Sequence, residues 1–173
     1  EESEATVNLA HVAIWNQGFG VDLDDALAAS RDKQSNPHRT LDNTAVTWMC
    51  AFNFSPNESP MTRLEKQYQL QGHAKYVDIA KLFGWEAVNG AFKSFVDLYE
   101  TLGSTDNVNV DNNSLATSDD HILALSKSAG VDMRPLLHFW GIHPENPTTL
   151  AADIAAEGLG ESAVIYDRLL EYK

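Results

Sequence analysis

Apolar residues recur along this chain mostly at three- and four-residue steps, the spacing of helices, while strict two-residue alternation is scarce. From residue 4 to residue 16 the run Glu-Ala-Thr-Val-Asn-Leu-Ala-His-Val-Ala-Ile-Trp-Asn is apolar almost all round. That pattern predicts a buried helix, ended by Gly18 and Gly20. A short helix is expected over Asp22 to Ser30, an exposed loop over Asp32 to Arg39 with Pro37 in it, and another buried helix over Leu41 to Phe54. The run Ser55-Pro-Asn-Glu-Ser-Pro60 breaks the pattern, since proline cannot continue a helix. Met61 to Phe83 reads as a long helical stretch hinged near Gly72.

The most regular segment is Trp85 to Leu102, where Val88, Ala91, Phe92, Phe95, Leu98, Tyr99 and Leu102 make one apolar stripe. Gly103 to Thr117 is Asn/Asp-rich and aperiodic, a loop. Ser118 then reads as an N-cap, with Asp119 and Asp120 in a first turn where the helix dipole favours them and Gly130 as the stop. Asp132 is placed to cap a short helix from Met133 to Trp140, with Pro135 in its first turn and Gly141 after it. Thr149 to Glu157 and Ser162 to Tyr172 complete the series. The pattern predicts an all-α, irregular bundle of about seven or eight helices, read as a single helical subdomain over residues 1–173.

Composition narrows the functional classes. With 12 Lys+Arg against 25 Asp+Glu the formal charge is −13, which argues against nucleic acid or an anionic membrane surface as partner. No apolar run approaches the roughly 18 residues of a spanning helix. The opening Glu1-Glu2-Ser3-Glu4 is unlike a signal peptide and carries no initiator Met, so the chain is expected to be a piece of something longer with any export signal upstream. Cys50 is the single cysteine; among apolar neighbours it reads as an inert buried thiol.

Phosphate-binding, dinucleotide-binding, nucleophile-elbow and Cys-pair zinc motifs are absent, and none of the six histidines is followed by Glu, so H-E-x-x-H is missing too. The first helix is the exception. At 100° per residue Glu4, Asn8, His11 and Trp15 fall within roughly 60° of one another. A carboxylate, an amide and an imidazole on one strip of an apolar helix need partners. Two readings are open: a solvated Glu4 with Asn8 and His11 as satisfied core groups, or a strip in which Glu4 meets a cation.

The stretch Glu4-Ala-Thr-Val-Asn8-Leu9 resembles the E-x-x-x-N-[LI] segment of the enhancin-like zinc metallopeptidases, gluzincins that include viral enhancins, accessory colonisation factor D and the immunomodulating metalloprotease. Phe83-Gly-Trp-Glu-Ala-Val88 resembles that family's F-G-W-E-x-[FV]. The run from Ser126 through Gly130, Asp132, Pro135, Phe139, Trp140 and Gly141 to Ile142 is similar to its S-x-x-x-G-x-[DN]-L-x-P-[FL]-[FL]-x-x-W-G-[IF]. The marks come in family order across most of the chain; the H-E-x-x-H half of the site would precede residue 1.

The resemblance implies the C-terminal helical half of a gluzincin-type peptidase domain, inactive alone. Glu4 would be the third ligand of one zinc ion beside two upstream histidines, the fourth position would hold water, and the upstream glutamate would be the general base. Asn8 and His11 would support the ligands from behind. The substrates implied are mucin-type glycoproteins, and the location is secreted or on the surface of a bacterium. The alternative is a stand-alone acidic helical binding or scaffold module without catalysis.

Among other candidates, Gln71 and His73 lie in the hydrogen-bonding-rich run Gln67 to Tyr76, which reads either as a substrate cleft or as a solvated helix face. His138 and His143 flank Phe139-Trp140-Gly141 and read as structural. Trp48, Trp85, Trp140, Phe92 and Phe95 have the spacing of core packing. Asp106, Asp111, Asp119 and Asp120 match no EF-hand spacing and read as a solvated acidic loop.

Overall fold

The computed structural model describes residues 2–29, 41, 72–102 and 117–172. Among them the chain is all-α, with eight α-helices, one π segment and no strand. The helices are α1 (Glu2–Ala13), α2 (Leu23–Ala29), α3 (Ala74–Phe83), α4 (Trp85–Leu102), α5 (Ser118–Ala129), α6 (Arg134–Phe139), α7 (Pro147–Ala156) and α8 (Ala163–Glu171). The π segment, Ile14–Gly18, continues α1. The chain divides into two compact units, Glu1–Lys81 with Glu171–Lys173, and Leu82–Leu170. Among the described residues no helix is long and apolar enough to cross a membrane. Cys50, Trp48, Gln71, Asp106, Asp111 and the stretches expected over 32–39, 42–54, 61–71 and 103–116 lie outside the described residues.

In the first unit, α1 buries Ala5, Leu9 and Val12, one face of a helix at steps of four and three. Gly20, at φ 70°, closes the end of the π segment, its amide donating to the Asn16 carbonyl at 2.9 Å while the Asn16 side-chain amide donates to the Val21 carbonyl at 2.6 Å. α2 follows an Asp22 turn, whose carboxylate accepts from the Asp24 amide at 2.9 Å. All residues of helix α3 from Ala74 to Ala80 are buried, Lys75 and Asp78 included. It is tied to α2 by Lys81 on Asp24 at 2.8 Å.

In the second unit, α4 spans the residues that the stripe predicts and buries Ala87, Val88 and Ala91. It packs chiefly on α5, and Gly90 permits the close approach: a Cβ there would collide with the Ser128 Oγ, which donates to the Glu86 carbonyl at 3.2 Å. The N-cap of α5 is Thr117 rather than Ser118. The Thr117 hydroxyl accepts from the Asp120 amide at 3.2 Å, and the Asp120 carboxylate accepts from the Thr117 amide at 2.8 Å. This reciprocal box needs an acceptor three residues after the cap, which only position 117 has.

Helices α5, α6 and α7 end alike. Gly130, Gly141 and Gly158, at φ 73°, 84° and 69°, each take the left-handed position after the helix. The following amide bonds back into the last turn: Val131 to the Ser126 carbonyl, Ile142 to Leu137 and Leu159 to Ile154, at 3.2, 2.8 and 3.1 Å. These Schellman closures are why the glycines read so clearly as stops.

Candidate functional site

Helix α1 carries the expected strip, with Glu4 in its first turn, Asn8 one turn on and His11 in its last turn. Asn8 is half-buried, at the border of the buried Ala5–Leu9–Val12 face, and is engaged in an interaction there. His11 is exposed. Trp15 departs from the 100° register, because it sits in the π segment, where i→i+5 bonding widens the turn. It pairs instead with Phe19, ring centroids 5.5 Å apart.

The expectation of a helix buried all round is corrected by the far side of α1. Val7 and Ile14 are 58% and 56% exposed, and Phe19 beyond the π segment is 71% exposed. At helical spacing Val7 and Ile14 flank His11, so an apolar margin runs along the strip.

His73 is 1% exposed and precedes α3, its carbonyl accepting from the amides of Tyr76 and Val77. The reading of this run as a solvated face does not hold for the described part: Lys75, Tyr76 and Asp78 are buried as well. The Lys75 ammonium lies 4.7 Å from the Tyr76 ring centroid, and the Tyr172 hydroxyl donates to an Asp78 carboxylate oxygen at 2.9 Å. In sequence Lys75, Asp78 and Lys81 recur at three-residue steps as a polar strip of α3, so nothing there signalled that Lys75 and Asp78 are buried.

The third motif resolves into structural roles. Ser126 is buried; its hydroxyl donates to the Ile122 carbonyl at 2.7 Å and accepts from the Met133 amide at 3.1 Å, joining α5 to α6. Asp132 accepts from the Arg134 amide at 3.0 Å and holds the Arg134 guanidinium at 2.6 Å, which caps α6 from one residue before its formal cap position. Burial pushes the Asp132 carboxyl up, but hydrogen bonds from the Arg134 side chain and backbone, with the Arg134 charge, hold it below its ordinary value. Pro135 occupies the first turn of α6, and Trp140 is buried beside Phe139. Gly84, at φ 80°, stands between the end of α3 and the start of α4.

His138 and His143 face each other across the Gly141 turn, ring centroids 4.2 Å apart and planes at 83°. Burial, then the neighbouring His138, pushes the His143 imidazole below its ordinary value. Phe95 stacks on His121 at 4.5 Å.

A zinc cage needs about four donors. Among the described residues no three His, Cys, Asp or Glu side chains gather to hold an ion, so the strip on α1 fits such a cage only as one corner, a single carboxylate with an amide a turn behind it. Comparison with known protein families, with curated proteins and with solved structures finds no match.

Proposed function

We propose that this chain is the C-terminal helical part of a zinc metallopeptidase of the enhancin-like class, secreted or surface-borne in a bacterium and acting on mucin-type glycoproteins, with Glu4 as the third ligand of one zinc ion. The observation that carries the reading is α1 itself. The E-x-x-x-N segment falls on a regular helix, and the strip it forms is bordered by exposed apolar Val7 and Ile14. An H-E-x-x-H helix packed on that margin would cover it and bring two histidines to Glu4. Val164, Tyr166 and Leu170 on α8 are exposed too, but the resemblance assigns no site residue among them.

Each residue then has a task. Glu4 contributes a hard anionic donor and lowers the net charge of the cage. Asn8, anchored at the edge of the core, is placed one turn away to hold a ligand's orientation by a hydrogen bond. His11, exposed on the same side, faces whatever enters the cleft. Zinc, when bound, supplies an acidified water. The Ser126–Asp132–Pro135–Gly141 segment does no chemistry; it fixes α5 against α6.

The test is zinc content and peptidase activity of the intact protein with its preceding segment. Glu4→Ala should lose turnover together with the one equivalent of zinc that turnover requires, and Asn8→Ala should weaken binding of that ion by about 10- to 100-fold. Full zinc retention in Glu4→Ala overturns the ligand assignment and leaves the binding or scaffold module as the reading.

A further inference from the structure

We propose that His138 and His143 form a two-imidazole site for a borderline divalent metal of the zinc, copper(II) and nickel class. The site lies within the second unit and does not rest on the peptidase reading.

The pair is made by the backbone. Helix α6 ends in a Schellman closure: the Gly141 amide donates to the His138 carbonyl at 2.9 Å and the Ile142 amide to the Leu137 carbonyl at 2.8 Å. Leu137 and Ile142, the positions whose apolar contact accompanies such a closure, are both buried. The chain therefore doubles back immediately before His143. Its ring is delivered to the side of His138, and the turn, rather than side-chain chance, holds the two together.

The geometry is close to that of a ligand pair. A metal bonded to two imidazole nitrogens at about 2.1 Å, with bond angles between square-planar and tetrahedral, sets the ring centroids roughly 4.5–5.2 Å apart. Here they are 4.2 Å apart in an edge-to-face contact at 83°, so a shared ion requires the rings to part slightly and turn until a nitrogen of each points at it. The His143 Nε2 is shielded from solvent and has no hydrogen-bond partner, an unfavourable state for a buried polar atom. A ligand bond relieves it. His138 is exposed, which leaves an approach for the ion and room for the waters that complete its shell. Imidazole donors select this metal class over calcium or magnesium, and the −13 charge of the chain attracts cations in general.

Chelator-treated chain titrated with zinc chloride in a calorimeter tests this. One ion should bind, with affinity reduced more than about tenfold in His138→Ala and in His143→Gln, and unchanged in His121→Ala. His138 is on the surface, so its variant reports on a folded protein, and a thermal melt verifies it. In parallel, substoichiometric zinc should shift the ring-proton resonances of His138 and His143 and leave those of His121 in place. No zinc uptake, equal uptake in both pair variants, or resonance shifts confined to other histidines would overturn the proposal.

Discussion

Helices α1 and α5 are each twelve residues long, and they manage their surfaces in opposite ways. In α5 the apolar residues Ile122 and Leu125 are buried. Its first turn is closed by the Thr117–Asp120 box, its end by Gly130, and its buried hydroxyl, Ser126, is bonded on both sides. Every strong polar group on that helix has an answer within its own unit. In α1 one face is packed while Val7, and Ile14 just beyond, stand in water beside His11. The contrast is one of surfaces: α5 spends its polar groups on its own unit, whereas α1 leaves Val7 exposed beside His11, with Ile14 just beyond.

Substitutions can break or sharpen that contrast. Leu125→Ala should have the largest effect, about 2–5 kcal/mol of stability by chemical denaturation, because it empties a fully packed site. Ser126→Ala should cost about 1–3 kcal/mol in the same measurement, since the buried Met133 amide is left without its acceptor. Asp132 should show itself through acid. Its folded carboxyl titrates below the ordinary 3.8, so as pH falls the unfolded chain takes up the proton first. Its contribution is whole above about pH 4 and is lost as pH falls through the lower, folded value. Asp132→Asn should therefore flatten the drop in melting temperature below that pH. Ile14→Ser should have the smallest effect, within about 0.5 kcal/mol. A cost of several times that in this chain would show that the α1 margin is already covered, and the contrast would fail.

The second unit was the more legible from sequence, for a physical reason. The bounds of α4, the stops at Gly130 and Gly141, and Pro135 in the first turn of α6 are local, set by backbone rules that each residue carries with it. The shift of the α5 cap from Ser118 to Thr117 was local as well, and the spacing to Asp120 contained it. What could not be read was tertiary. The burial of Lys75 and Asp78 depends on partners far along the chain, such as Tyr172. The exposure of Val7 and Ile14 depends on what does not pack there. Composition shows a helix apolar all round and cannot say which side is left open. The π segment was hidden for a related reason: nothing in Ile-Trp-Asn-Gln-Gly forbids an ordinary turn.

That segment also makes residue count a structural variable in the first unit. A π turn houses one residue more than an α-turn. Removing Gln17 should let the coil close into an ordinary α-turn, changing the spacing that sets the Trp15 and Phe19 rings 5.5 Å apart. The Phe19 amide also donates to the Trp15 carbonyl, so the backbone of the widened turn joins the two aromatic residues directly.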